Sequence, residues 1–158
     1  MLTFLNHLIN GISLGSVYAI IALGYTMVYG IAKMLNFAHG DVIMIGGYVS
    51  FCAMFYLGLP SIVAVLMAVV VCTVLGIVIE RLAYKPLRSA PSLAVLITAI
   101  GVSYLLQNVA LLIWGADTKS FSNVISLPSL KLAGGSIVIT GVTIVTIIGG
   151  ILIMAGLM

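Results

Sequence analysis

Residues 28–49 read VYGIAKMLNFAHGDVIMIGGYV, and they place a lysine, an asparagine, a histidine and an aspartate between two long apolar runs. The run before this break extends from about residue 8 to 31, and the run after it from about 37 to 57. A helix needs about 20 mainly apolar residues to cross the ~30 Å hydrocarbon core of a bilayer. The pattern therefore predicts two membrane-spanning helices that meet at a polar junction.

The same test predicts five spans along the chain, at about 8–31, 37–57, 61–84, 92–114 and 137–157. Of the 158 residues, 63% are hydrophobic and 6% charged, which is too few charges to cover the surface of a water-soluble domain. The expected fold class is all-α, a polytopic transmembrane helix bundle. The last apolar run reaches Met158 without a polar flank, which indicates a piece of a longer protein.

Orientation is predicted from the polar segment ERLAYKPLRSAP, residues 80–91, because short loops rich in Lys and Arg stay in the cytoplasm. This makes 85–91 a cytoplasmic loop and 115–136 an external loop. Pro86 disfavours helix at Lys85. Two roles are open for the charged residues of this segment, an anchor on anionic lipid or a contact with a cytoplasmic protein partner; they are Glu80, Arg81, Lys85 and Arg88.

The polar junction has two interpretations. In the structural one, Gly30 ends the first span, Asn36 caps the second, and the carboxylate of Asp41 lies near the positive end of its helix dipole. In the functional one, an interrupted helix lines a translocation path with Asn36, His39 and Asp41.

Two further features lie inside the spans. Gln107 and Asn108 fall within span four, where an amide facing lipid is costly, so both are expected to face inward as interhelix bonds or as path lining. Gly11, Gly15 and Ala19 form a ridge of small residues on span one, which predicts close packing against another helix.

The sequence lacks the motifs that mark several classes of function. The sequence has no G-x-x-x-x-G-K-[ST] loop, no H-E-x-x-H zinc pattern and no G-x-S-x-G nucleophile elbow. We therefore expect no catalytic residue, no metal site and no cofactor in this chain, and any energy from ATP must enter through a partner. The basic residues lack the clustering with aromatic residues that marks a nucleic-acid-binding face, so no nucleic-acid partner is expected.

Two long segments, GSVYAIIALGYTMVYGIAKMLNFAHGDVIMIGGYV at 15–49 and IERLAYKPLRSAPSLAVLITAIGVSYLLQN at 79–108, resemble the permease subunits of bacterial ABC importers for branched-chain amino acids. The resemblance is to the smaller, H-type permease of the leucine, isoleucine and valine system, and this chain matches its first half. In that family the position of Asp41 most often has Glu, which keeps the charge.

The resemblance implies a multi-pass subunit of the bacterial cytoplasmic (inner) membrane. Its implied partners are a second homologous permease, two cytoplasmic ATPase subunits that bind ATP and Mg, and a periplasmic amino-acid-binding protein. The implied mechanism is alternating access, with the solute passing between the two permeases. Two alternatives stay open: an ion- or proton-coupled secondary transporter that titrates His39 or Asp41, and a membrane scaffold that transports nothing.

Overall fold

The computed structural model describes residues 2–33, 35–120, 130–132, 137–139 and 141–157. Within them the fold is helical apart from two short strands, which confirms the predicted fold class. The helices are α1 (Leu2–Ala32), α2 (His39–Phe55), α3 (Ser61–Ile79), α4 (Ser92–Trp114) and α5 (Gly141–Leu157). The strands β1 (Leu130–Leu132) and β2 (Ile137–Ile139) pair antiparallel, with Leu130 opposite Ile139.

Three segments of the described chain are helices long and apolar enough to cross a bilayer: Thr3–Ile31, Ser61–Leu87 and Ser92–Trp114. α2 and α5 are apolar but shorter. α4 coincides with the predicted span at 92–114. The predicted start of the fifth span at residue 137 is wrong, because the β-branched run Ile137–Ile139 forms β2 and the helix begins at Gly141.

The end of α3 also differs from the prediction. The helix continues without a break into a π-helical turn, Glu80–Tyr84, and then a 3₁₀ turn, Lys85–Leu87. The expectation that Pro86 disfavours helix at Lys85 is wrong, because Lys85 has helical backbone angles (φ −59°, ψ −42°) and the helix ends only after the proline, at Leu87. The predicted cytoplasmic loop at 85–91 therefore begins as a helical turn.

The turn between α1 and α2 begins at Lys33. α1 runs through Gly30 to Ala32, so Gly30 does not end the helix as predicted. Lys33 has φ 54°, a left-handed conformation that ends the helix, and its N–H donates to the Tyr29 carbonyl at 2.8 Å.

The chain divides into two compact units, residues 28–122 and residues 1–27 with 123–158. In the unit of residues 28–122, small side chains bring α2 and α3 close together. Ala53 and Ala64 are fully buried, and a Cβ added at Gly46 would lie 2.8 Å from Cys72 Sγ. Small residues at helix interfaces let backbones approach closely in a membrane, where van der Waals packing drives association.

In the unit of residues 1–27 and 123–158, α5 lies beside α1. A Cβ added at Gly150 would lie 3.6 Å from Ile20 Cγ1, and Ala19 and Gly150 line one small cavity. A Cβ added at Gly11 or Gly15 would meet no other described residue within 4 Å. Ala19 of the predicted ridge thus lies beside α5. At Gly11 and Gly15 the ridge has no described residue within 4 Å of an added Cβ. The segments 121–129 and 133–136 of the predicted external loop lie outside the described residues.

Many large apolar side chains of the helices are exposed. Ile31 is 83% exposed and Leu112 is 85% exposed. A soluble protein rarely leaves apolar patches of this extent uncovered, so lipid or a partner subunit must cover them. The exposed apolar helices are those of a multi-pass membrane protein.

Candidate functional site

One face of α4 is buried against the helices around it, and it sets the position of the polar side chains on that helix. The buried residues Val95, Ala99, Leu106 and Ala110 recur at spacings of four and seven, which keeps them on one stripe. Ser103 lies on this stripe, one turn after Ala99. The stripe therefore carries the Ser103 hydroxyl toward the interior of the unit of residues 28–122.

Asp41 lies opposite, in the first turn of α2, and is only 8% exposed. The Ser103 hydroxyl donates to Asp41 Oδ2, and the Gln107 amide donates to Asp41 Oδ1 at 3.0 Å. Gln107 Nε2 also lies 3.2 Å from Ser103 Oγ, so the three side chains form a closed triangle. We call Asp41, Ser103 and Gln107 the polar triad.

The triad satisfies a carboxylate that would otherwise be costly to bury. Both carboxylate oxygens have a donor, and Asp41 also lies where the N-terminal end of the α2 dipole favours negative charge. The triad joins α2 to α4 by directional bonds. A hydrogen-bonded contact of this kind fixes the register of two helices whose apolar surfaces alone could slide.

Asn36 belongs to a second polar contact at the same junction. Its Oδ1 accepts the Ala38 N–H at 3.1 Å and the Tyr84 hydroxyl at 2.7 Å. Ala38 is the N-cap of α2, and its side chain offers no capping bond, so Asn36 organises the turn just before the helix instead of occupying the cap position as predicted. His39 is the first residue of α2 and is half-buried.

Asn108 lies outside the triad. Its Nδ2 donates to the Tyr104 carbonyl of its own helix at 2.7 Å, and its side chain is exposed. One residue corresponds to a rotation of about 100° around a helix, so Asn108 points away from the stripe that carries Ser103. Asn108 thus bonds its own helix and contributes nothing to the triad, and its predicted role as an inward-facing amide stays a prediction.

Sequence reasoning missed two residues that complete these contacts. Ser103 is one helical turn before Gln107, and that i, i+4 spacing was the available signal. Tyr84 contacts Asn36 across 48 residues, and nothing in the sequence pattern indicated that pairing.

At its other end, α2 is joined to α4 by an aromatic contact. The rings of Tyr48 and Trp114 stack with centroids 4.7 Å apart, and Trp114 Nε1 donates to Cys52 Sγ at 3.0 Å. α2 and α4 therefore touch through the triad near one end and through this ring pair near the other.

The charged residues after α3 separate into two groups. Arg88 donates to Glu80 Oε1 at 2.9 Å, in an ion pair whose side chains are 68% and 46% exposed. An ion pair this exposed contributes at most about 1 kcal/mol to stability. Arg81 and Lys85 are exposed as well. The ion pair therefore adds little to the fold, and the role of the four residues as a lipid anchor or a partner contact stays a prediction.

Comparison with known proteins identifies the family. The family described as the permease component of branched-chain amino acid transport systems matches residues 7–157. The high-affinity branched-chain amino acid transport system permease protein BraD of Pseudomonas aeruginosa is 42% identical, over 98% of this chain and 53% of its own length. The corresponding permease protein LivH of Escherichia coli and of Salmonella typhimurium is 47% identical, over 82% of this chain and 42% of its own length.

This chain spans about half the length of those relatives, and no solved structure matched it. The match to the family covers nearly all of the chain, including the polar junction and α4 with the triad. The chain belongs to the family of permease components of branched-chain amino acid transport systems.

Proposed function

We propose that this chain forms part of the translocation path of an ATP-driven, binding-protein-dependent importer of leucine, isoleucine and valine. The three relatives named above are permease proteins of high-affinity branched-chain amino acid transport systems, which supports the substrate class. The chain itself would hydrolyse nothing. ATP and Mg would be bound by two cytoplasmic ATPase subunits, and a periplasmic binding protein would deliver the amino acid.

The observation that carries the proposal is the buried carboxylate of Asp41, held by two side chains of α4 within the apolar helices. Ionisable residues inside membrane helices are rare and mark solute paths or the elements that move around them. The Gln107 side chain is both bonded to Asp41 and exposed at the edge of α4. It can therefore present an amide to a solute or to a partner helix.

A zwitterionic amino acid is costly to desolvate, so its path must offer polar groups without binding the amino acid tightly. In the proposed alternating-access cycle, α2 and α4 shift against each other as this permease rocks against a second, homologous one. The polar triad is then the contact that changes. At Gly11 and Gly15 no described residue lies within 4 Å of an added Cβ, so α1 can accept a helix of that second permease there.

The test is uptake of labelled leucine by cells that express the complete importer with this permease in place of their own. We expect Gln107→Leu and Asp41→Asn to lower the uptake rate at least tenfold at normal membrane levels of the complex. The matched control is Asn108→Leu, which removes the neighbouring amide from the same helix but none of the triad's bonds. If all three variants take up leucine at the rate of the unmodified importer, the triad has only a scaffold role.

The energy source is tested in the same cells. Depletion of ATP should stop uptake, whereas an uncoupler should leave it intact while ATP is maintained. The reverse pattern would contradict the ATP-driven importer and favour a proton-coupled transporter that uses Asp41 or His39.

A further inference from the structure

A cavity of about 520 Å³ lies where the end of α1 faces the start of α4. Four polar residues line it, namely Tyr29, Lys33, Arg88 and Ser92. None of the described residues that line it is acidic. Its remaining lining is apolar and includes Leu35, Leu87 and Leu93. The cavity lining therefore combines two cationic residues with an apolar surface.

Three sources of positive potential meet there. Lys33, in the turn after α1, and Arg88 both line the cavity and both carry a positive charge. The Arg88 guanidinium already donates to Glu80 Oε1 at 2.9 Å. Because a guanidinium has five N–H donors, it can still bind a second anion. α4 begins at Ser92, so the positive end of its dipole also lies at the cavity wall.

The cavity is located at the ends of helices that are long enough to cross a bilayer. α3 with its terminal turns ends at Leu87, and α4 begins five residues later at Ser92. This connection is thus at a membrane–water interface. Leu93 is 65% exposed beside the cavity, which provides an apolar surface for a hydrocarbon chain.

We propose that this cavity binds the headgroup phosphate of an anionic phospholipid, with Lys33 and Arg88 as the phosphate ligands and the leucines as the acyl-chain contact. Arginine and lysine are the usual phosphate-binding side chains, and Arg can bind phosphate through two parallel N–H bonds. A free phosphate ion would use the cations but leave the apolar lining uncovered. The combination of the two linings favours the lipid.

The proposal separates Lys33 and Arg88 from the other two basic residues of this region. Arg81 and Lys85 belong to the same polar segment and are exposed, but they do not line the cavity. A general attraction to a negative membrane surface would depend on all four cations alike. A specific headgroup site depends on Lys33 and Arg88 alone.

The experiment uses the complete transporter, purified in detergent, with phosphatidylglycerol as the probe and native mass spectrometry as the readout of bound lipid. The variant Lys33→Gln/Arg88→Gln should bind phosphatidylglycerol at least about tenfold more weakly, since a hydrogen bond from a cationic side chain to a phosphate contributes roughly tenfold or more. The matched control Arg81→Gln/Lys85→Gln removes the same charge and should bind within about threefold of the unmodified protein.

A variant that is expected to bind more tightly distinguishes loss of the site from loss of the fold. Glu80→Gln frees the Arg88 guanidinium from its ion pair and should tighten phosphatidylglycerol binding several-fold, whereas phosphatidylcholine binding should not change. Equal losses in the two double variants, or no gain in Glu80→Gln, would overturn the proposal. So would complete competition by millimolar inorganic phosphate, which would assign the cavity to the free ion. The readout is lipid binding, so the outcome is independent of whether the chain transports amino acids.

Discussion

Replacement of Asp41 by alanine tests the polar triad directly. The change removes the acceptor of two hydrogen bonds from α4, one from the Ser103 hydroxyl and one from the Gln107 amide. Hydrogen bonds to a charged group contribute about 1.5–3 kcal/mol each in soluble proteins. Interhelix hydrogen bonds in a membrane contribute less, with an average of about 0.6 and a maximum of about 1.7 kcal/mol in double-mutant cycles.

Two features reduce the net cost below the sum of the two bonds. Removal of the carboxylate also removes the free energy needed to bury its charge. Ser103 and Gln107 can still bond each other, because their polar atoms lie 3.2 Å apart. We therefore expect Asp41→Ala to lower the free energy of unfolding by about 1 kcal/mol, and Asp41→Asn by about 0.5 kcal/mol because the amide oxygen keeps one acceptor.

The assay is a double-mutant cycle on the complete permease, unfolded in mixed detergent micelles and followed by circular dichroism. The coupling free energy between Asp41→Ala and Gln107→Leu should be about 1 kcal/mol. The coupling between Asp41→Ala and Asn108→Leu should be near zero, because Asn108 bonds only the Tyr104 carbonyl among the contacts described above. If the two coupling energies agree within about 0.3 kcal/mol, the triad does not exist as a bonded unit.

Three further outcomes are expected from unfolding measurements on the same protein. Gly46→Ala should lower the free energy of unfolding by about 1–3 kcal/mol, because the new Cβ would lie 2.8 Å from Cys72 Sγ. Adding Cys72→Ala should restore most of that loss. The control is Gly47→Ala, whose new Cβ would have no described neighbour within 4 Å. Trp114→Phe should cost under about 1 kcal/mol, since it loses the bond to sulfur but keeps a stacked ring, whereas Trp114→Ala should cost about 3 kcal/mol. Lys33→Gly should raise the midpoint of thermal unfolding, because it removes the cost of about 1 kcal/mol that a residue with a side chain has in the left-handed conformation. Lys33→Gln keeps that cost and should leave the midpoint unchanged.

The helices could be predicted from the sequence because bilayer thickness fixes how long an apolar run must be. The run at 92–114 became α4 with the predicted bounds. Ends defined by local backbone chemistry were harder to predict. Ile137–Ile139 is as apolar as any span, and only its pairing with Leu130–Leu132 makes it a strand. Pro86 was expected to disfavour helix at Lys85, but both residues lie in the last 3₁₀ turn of a helix that ends at Leu87.

The site was predicted in part, for a different reason. Asp41 and Gln107 could be singled out because a charge or an amide is conspicuous among apolar neighbours. Ser103 was not, since a serine can bond the carbonyl of its own helix and therefore needs no partner on another helix. The pairing of Tyr84 with Asn36 depends on the path of α3 through its π-helical turn, which no local pattern indicates.

The strength of the triad bears on whether it can belong to a moving part. A contact between α2 and α4 that must open in every transport cycle cannot be worth many kcal/mol, or the closed arrangement would never be left. The Ser103 and Gln107 bonds to Asp41, at about 1 kcal/mol of coupling each, are weak enough to exchange for water or for a solute. The buried alanines between α2 and α3 offer no such exchange, because lipid tails are too bulky to reproduce the close backbone packing that small residues allow. In the proposed cycle α2 and α3 therefore move together, and α2 and α4 separate at the triad while the Tyr48–Trp114 ring pair holds their other ends together.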